Sequence, residues 1–334
     1  MKKKDNLPNH PLCAPLLKGD IQALSKAISL MESQLKKHHE EAAGLLAALK
    51  TWQPTKKQSI RVAISGVPGV GKSTFIEALG SYLIQKNRKV AVLTIDPSSQ
   101  QSGGSILGDK TRMPLLSQSP LAYIRTTPAA ATLGGVASNT RASIQLCEAA
   151  GFEVILIETV GVGQNELSVH ELVDFFLLLK LPGAGDEIQG IKRGIMEVAD
   201  ALLINKADGA GAPLAKKAQQ FFQAALHAFP QKENGWNPPV LLASAIENTG
   251  ITEVWSQIEA YVALQKKNGQ FLIQRQQQEI LGWQGQLNEM LLQEFNQDPS
   301  IQSLIKRLAL GIKKGEHTAA SASKEAIKAF RKQA

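Results

Sequence analysis

The chain has 334 residues, of which 43% are hydrophobic and 20% are charged, and its formal net charge is +8. These values are ordinary for a soluble globular protein, while the scattered basic residues and the 5% aromatic content argue against a nucleic-acid partner. Cys13 and Cys147 make no disulfide framework, and no apolar stretch is long enough to cross a bilayer, so we predict a cytoplasmic protein without membrane insertion.

The N-terminal region is predicted to be helical. Apolar residues recur at helical spacing between about residues 19 and 50. The polar stretch 51–58 contains a proline and predicts a linker. We therefore expect an N-terminal helical extension over residues 1–55.

Short apolar runs and helical stretches alternate through residues 56–267, which is typical of a parallel sheet with helices on both faces. The runs are nearly continuous in apolar residues, as expected for central parallel strands that are buried on both sides. The predicted strands are 60–65, 90–95, 121–125, 154–157, 173–179, 201–204 and 240–243.

The predicted strands stop before residue 268, and the remaining residues favour helices at 270–296, 301–313 and 321–332. The first of these is rich in glutamine, but leucine, isoleucine and tryptophan are interspersed, which indicates a packed or dimeric helix. Asp298 stands where it can cap the second helix, since Pro299 follows it. We treat residues 268–334 as a separate helical region.

A glycine-rich loop follows the first predicted strand and opens a helix over residues 72–85. It matches the P-loop pattern, whose glycines let backbone N–H groups turn toward a β-phosphate. Lys72 is expected to reach the β- and γ-phosphates, and the Ser73 hydroxyl to ligate Mg²⁺. We therefore predict a P-loop NTPase fold with three α/β/α layers and a mostly parallel sheet. The predicted phosphate-binding residues are Gly66, Val67, Pro68, Gly69, Val70, Gly71, Lys72, Ser73 and Thr74.

Carboxylates follow two of the predicted strands. Glu158 occupies the position of a Walker-B acid, and Asp96 follows the second strand. Because ligands gather at the carboxyl ends of parallel strands, both should face a nucleotide and its Mg²⁺. Asp109, in the loop after Asp96, is a further metal candidate by location alone. Gly161 can present its N–H to the γ-phosphate, and Gln164 can orient the attacking water. The predicted catalytic residues are Lys72, Glu158 and Gln164.

The sixth predicted strand is followed by an Asn-Lys-x-Asp sequence, which indicates guanine rather than adenine. The Asp208 carboxylate would accept hydrogen bonds from guanine N1–H and the 2-amino group, whereas adenine would place an acceptor against it. Leaving such a polar group unsatisfied costs about 1–3 kcal/mol. A backbone N–H after the seventh strand can contact guanine O6. The predicted base-binding residues are Asn205, Lys206, Asp208, Ser244, Ala245 and Ile246.

Four further stretches of the sequence are distinctive when taken together. They are Asp-Pro-Ser-Ser at 96–99, Thr-Leu-Gly-Gly-Val at 132–136, Glu-Thr-Val-Gly-Val-Gly-Gln at 158–164 and Pro-Gly-Ala-Gly-Asp-Glu-Ile-Gln-Gly-Ile-Lys at 182–192. With them the chain resembles the MeaB/ArgK family, the methylmalonyl-CoA mutase-associated GTPases. The similarity spans nearly the whole chain, and the last two stretches are long and specific.

The resemblance implies a homodimeric, GTP- and GDP-binding G protein that chaperones an adenosylcobalamin-dependent acyl-CoA mutase. It implies that the protein gates cofactor loading and protects the mutase. It also implies that Ser73, Asp96, Asp109 and Glu158 surround the magnesium, and that the C-terminal helices form the dimer arm.

The resemblance further implies that residues 185–192 form an additional mobile switch. The residue types from Pro182 to Lys192 agree, since three glycines and a proline surround the acidic pair Asp186-Glu187. The alternative is an ordinary connection between a strand and a helix.

Three other functions share parts of this pattern. A nickel-insertion GTPase would carry histidine- or cysteine-rich motifs, but the only adjacent pair is His38-His39 in a charged helical stretch. A protein-targeting GTPase would carry a methionine-rich region, and the chain has 5 methionines. A transport-linked ATPase or kinase, of the arginine/ornithine transport type, would prefer ATP, which Asp208 argues against.

Overall fold

The computed structural model describes residues 10–33, 35–50, 58–96, 112–128, 133–159, 166–183 and 193–332. Within these ranges the strands form one seven-stranded sheet in the order β3-β2-β4-β1-β5-β6-β7. Every neighbouring pair is parallel. The predicted parallel α/β fold is therefore confirmed. The strands are β1 Ile60–Gly66, β2 Val90–Asp96, β3 Ala122–Pro128, β4 Val154–Thr159, β5 Phe175–Lys180, β6 Ala201–Ile204 and β7 Val240–Leu242.

Helices precede, connect and follow these strands. A short 3₁₀ helix, Gly209–Gly211, comes after the loop that follows β6. The α-helices are α1 Cys13–Leu17, α2 Ile21–Glu32, α3 Lys36–Lys50, α4 Lys72–Gln85, α5 Pro114–Gln118, α6 Leu133–Ala149, α7 Glu166–His170, α8 Arg193–Val198, α9 Ala212–His227, α10 Ile251–Lys267, α11 Gln270–Gln297, α12 Pro299–Lys313 and α13 Ala319–Arg331.

The sheet is buried on both faces. In β1 the side chains of Val62 and Ile64 enter one apolar cluster, and Ala63 enters the other. All six residues of β4 and all six of β5 are buried. This is why the sequence shows continuous apolar runs rather than alternation. Because β1 is central, the loop that leaves it lies at the middle of the carboxyl edge of the sheet.

The N-terminal helix predicted over about residues 19–50 is two helices, which corrects that expectation. Ser33 ends α2 in an extended conformation, with φ −72° and ψ 139°. Its hydroxyl accepts a hydrogen bond from the Leu35 N–H at 3.3 Å and lies 2.7 Å from His38 Nδ1. A serine side chain that bonds nearby groups in this way competes with the helical backbone bonds. Helical periodicity alone did not indicate this interruption.

Helices α11 to α13 follow the strands, and the Asp298 cap is confirmed. Its carboxylate accepts from the N–H groups of Ser300 at 2.8 Å and Ile301 at 3.1 Å. The chain divides into two compact units, one ending at Glu279 and the other beginning at Ile280. None of the helices in the described part of the chain combines the length and apolarity needed to cross a bilayer.

The start of α11 is held against the amino ends of β1 and β5 by a buried ion pair. Arg275 donates from Nε to Asp174 Oδ1 at 2.8 Å and from Nη2 to Asp174 Oδ2 at 2.7 Å. Asp174 is 1% exposed and also accepts the Arg61 backbone N–H at 2.8 Å. Removing one partner of such a buried pair costs about 3–5 kcal/mol. The ion pair therefore fixes the amino end of β1, whereas the P-loop glycines lie at the carboxyl end of the same strand.

Candidate nucleotide-binding site

The loop between β1 and α4 has a backbone that only glycine accommodates at its turning points. Gly69 and Gly71 have φ values of +79° and +91°, which L side chains rarely adopt. At Gly71, a Cβ would also lie 2.7 Å from Asn205 Nδ2. At Gly66, a Cβ would lie 2.6 Å from the Leu179 carbonyl oxygen. The loop therefore has the tight curvature that turns N–H groups toward a phosphate.

Lys72 is the first residue of α4, as predicted. Its Nζ donates to the carbonyl oxygens of Gly66 at 2.8 Å and Val67 at 3.3 Å. The residue is 9% exposed, so its positive charge is held close inside the loop. The free N–H groups at the start of α4 also attract anions. The lysine side chain and the helix N-terminus therefore favour negative charge at the same place, within the loop.

Ser73 and Glu158 come together at the ends of α4 and β4. The Ser73 hydroxyl donates to Glu158 Oε1 at 2.9 Å, and Glu158 is 6% exposed. Parallel pairing places Glu158 opposite Ile64 near the carboxyl end of β1. A hydroxyl and a carboxylate are hard oxygen donors and suit Mg²⁺, which needs only one or two carboxylates. Among the described residues no group of three or more His, Cys, Asp or Glu forms a metal cluster.

Several predicted site residues cannot be placed. Asp109, Gly161 and Gln164 lie outside the described residues, as does the whole of the switch predicted at 185–192. Asp96 ends β2, and its backbone is described, but its side chain is not. The roles of Asp96, Asp109, Gly161 and Gln164 therefore remain predictions from the sequence.

The guanine-specifying sequence contacts the phosphate loop directly. Asn205 is 1% exposed, and its Nδ2 donates to the Val70 carbonyl oxygen at 2.8 Å. Lys206, at a positive φ of +59°, donates from Nζ to the Gly69 carbonyl oxygen at 2.8 Å. These two bonds set the distance between the loop after β6 and the P-loop. The sequence predicted both residues as base contacts and did not indicate that they also position the P-loop.

Asp208 is held by the loop after β7. The Ser244 hydroxyl, which is fully buried, donates to Asp208 Oδ2. The Ala207 N–H donates to the Ala243 carbonyl oxygen at 3.0 Å, so the two loops are joined through backbone as well. Ala245 is 9% exposed and Ile246 is 77% exposed. Sequence reasoning placed only a backbone contact here and missed the serine hydroxyl, which orients the carboxylate.

This fold and this site define a P-loop GTPase. A parallel sheet carries a P-loop at its central strand, a Ser–Glu pair beside it and an Asn-Lys-x-Asp loop bonded to it. Residues 24–300 match the family described as methylmalonyl Co-A mutase-associated GTPase MeaB, and the chain belongs to this family. The predicted family resemblance is thereby confirmed.

Relatives of known name extend over nearly the whole chain. A probable GTPase of Mycobacterium tuberculosis is 45% identical over 310 residues, covering 92% of this chain and 91% of the relative. The mitochondrial methylmalonic aciduria type A homolog of Mus musculus is 41% identical over 323 residues, covering 95% and 78%. A crystal structure described as a LAO/AO transport system kinase superposes with a TM-score of 0.74 at 32% identity, covering 96% of each chain.

Proposed function

We propose that this protein is a Mg²⁺-dependent GTPase that chaperones an adenosylcobalamin-dependent acyl-CoA mutase of the methylmalonyl-CoA mutase type. It hydrolyses GTP to GDP and phosphate, and the two nucleotide states gate cofactor loading and protection of the mutase. Membership of the MeaB family over residues 24–300 carries the proposal. The name of the mouse relative agrees with such a role.

The described residues supply part of the proposed hydrolytic site. Lys72 leaves the Gly66 and Val67 carbonyls to bind the β- and γ-phosphates, which the N–H groups of the loop surround. The Ser73 and Glu158 oxygens, which lie within hydrogen-bond distance of each other, would hold Mg²⁺, and the ion would neutralise phosphate charge. Asp96 and Asp109 are proposed as further groups around the metal. The Gly161 N–H and the Gln164 side chain are proposed to contact the γ-phosphate and the attacking water.

The client is tested by binding a purified adenosylcobalamin-dependent methylmalonyl-CoA mutase in the presence of a non-hydrolysable GTP analogue or GDP. A gating protein must bind the mutase with different affinity in the two states, by about 5–150-fold at the usual coupling of 1–3 kcal/mol. Calorimetry measures both affinities, and bovine serum albumin serves as the control. Equal affinities would remove the gating role, and no binding would remove the client while leaving the GTPase.

Exposed apolar side chains in the second compact unit favour a homodimer. Large apolar side chains on α11 are exposed at spacings that place them along one helical face. Soluble proteins rarely leave such a stripe uncovered, and a second copy of the chain is the proposed cover. The residues are Ile280 at 55%, Trp283 at 61%, Leu287 at 41%, Met290 at 54% and Leu291 at 48% exposure.

Replacing Trp283 and Leu287 with glutamate is expected to weaken the dimer by about a hundredfold or more, because both apolar contacts are lost and charges are buried. Sedimentation equilibrium measures the dissociation constant. The control Gln293→Glu adds charge to the same helix outside the stripe and should leave it unchanged. A double variant that remains as dimeric as the wild type would exclude this face as the interface.

A transport-linked ATPase or kinase is the second candidate, favoured by the description of the superposed crystal structure. The Asp208 carboxylate, held by Ser244, opposes it, since adenine presents no donor pair there. Competition between ATP and GTP for the purified protein distinguishes the two, because a transport ATPase must select ATP.

A nickel-insertion role has less support. His38 and His39 contact the Ser33 side chain and the Ser33 carbonyl oxygen, at 2.7 and 2.8 Å. Both imidazole rings therefore make hydrogen bonds to Ser33 at the start of α3.

A further inference from the structure

Of the two residues that the sheet pairs with Glu158, one is polar. Strand β4 lies between β1 and β2, so Glu158 has Ile64 on one side and Thr94 on the other. Residues paired in this way direct their side chains to the same face of the sheet, on strands about 4.8 Å apart. Ile64 offers no polar atom, so Thr94 is the paired residue that can place a hydroxyl beside the Glu158 carboxylate.

The packing of β2 agrees with this orientation. Val92, two residues before Thr94, belongs to the same apolar cluster as the buried residues of α4, whereas Ile95 belongs to the cluster on the other face. Since side chains alternate along a strand, Thr94 is directed toward α4. On this face the Ser73 hydroxyl of α4 donates to Glu158 at 2.9 Å. Thr94, Ser73 and Glu158 therefore meet at one place.

The Thr94 hydroxyl is buried and makes no hydrogen bond within the described part of the chain. The residue is 5% exposed, and Oγ1 itself is shielded from solvent. A hydroxyl in such surroundings raises the free energy of the folded state unless something pairs with it. A metal site provides such a partner, because Mg²⁺ keeps several water molecules when a protein binds it, and threonine can accept a hydrogen bond from one of them.

We infer that Thr94 is a positioning residue for the Mg²⁺ site, its hydroxyl accepting a hydrogen bond from a water molecule that the bound metal retains. The inference rests on the proposed Mg²⁺-dependent GTPase function. The Ser73 and Glu158 oxygens would hold the ion, and Thr94 would orient one of its water molecules. Side chains that act on a metal in this indirect way contribute about tenfold or more to its affinity, so loss of the hydroxyl weakens Mg²⁺ binding.

The test compares Thr94→Val, Thr94→Ser and the control Thr127→Val in the full-length protein. Valine has nearly the shape of threonine but lacks the hydroxyl, whereas serine keeps it. Thr127 of β3 is fully buried, and its hydroxyl also has no partner among the described residues. It is paired with Ile95, so its side chain is directed to the sheet face opposite Glu158.

Three quantities are measured for each variant. Calorimetric titration of Mg²⁺ into the GDP-bound protein gives the dissociation constant for the metal. GDP affinity in EDTA reports on the nucleotide site without the metal, and Tm in EDTA reports on the fold.

Thr94→Val is expected to raise the Mg²⁺ dissociation constant about tenfold, with GDP affinity in EDTA retained. Thr94→Ser should recover most of the loss, and Thr127→Val should leave metal affinity unchanged. Both valine variants should keep or raise the Tm in EDTA, because each removes a buried hydroxyl that has no hydrogen bond in the metal-free protein.

An unchanged Mg²⁺ dissociation constant in Thr94→Val, or an equal rise in Thr94→Ser or Thr127→Val, would overturn the inference and leave the proposed function standing. A lower Tm of Thr94→Val in EDTA would also overturn it, since the hydroxyl would then stabilise the fold without the metal. A wild-type protein that binds GDP but no Mg²⁺ would instead overturn the proposed metal site itself.

Discussion

Lys72→Ala is expected to lower kcat for GTP hydrolysis by at least about 10²–10³-fold while leaving the fold intact. The side chain is the cation placed within the P-loop, and charge develops on the γ-phosphate oxygens during transfer. Its present partners are the Gly66 and Val67 carbonyl oxygens, which water can satisfy once the lysine is gone. Phosphate release from GTP at saturating Mg²⁺ measures the loss, and circular dichroism checks the fold.

Lys86→Ala is the matched control, because Lys86 follows the opposite end of the same helix. It removes one positive charge just after the carboxyl end of α4 and should keep normal turnover. If Lys72→Ala hydrolysed GTP at the wild-type rate, the loop would not be the catalytic phosphate site.

Asp208→Asn is expected to exchange the base preference of the protein. The substitution replaces an acceptor with a donor, which suits the C2 carbonyl of xanthine and leaves the guanine 2-amino group without an acceptor. Sites built on buried hydrogen bonds discriminate strongly, so GTP affinity should fall by about a hundredfold or more, and xanthosine triphosphate should become the better ligand. Competition against a fluorescent nucleotide measures both affinities.

Ser244→Ala provides the control for this change. Its hydroxyl donates to Asp208 Oδ2 and therefore orients the carboxylate without reading the base. GTP affinity should fall by about tenfold, as for loss of a hydrogen bond to a charged acceptor, and guanine should still be preferred over xanthine. Unchanged GTP affinity in Asp208→Asn would show that another group selects the base.

The strands and the phosphate loop were predictable because their signals are local. A strand buried on both faces appears as a continuous apolar run, and β1, β4 and β6 begin at their predicted residues, although β4 continues to Thr159 rather than ending at residue 157. The start of α4 at Lys72 also agrees, since the glycines before it require a turn and the residues after it favour helix. The interruption at Ser33 was missed because a hydroxyl bonded to nearby groups leaves the apolar periodicity unchanged.

The order of residues along the chain predicted the class of fold, the phosphate loop and the preference for guanine, because each depends on residue types at short spacings. Tertiary structure alone decided which side chains hold those elements in position: Asn205 against Val70, and Ser244 against Asp208. The two pairs join residues 135 and 36 positions apart. Such contacts leave no periodic pattern in the sequence, since they form only when the folded chain brings distant residues together.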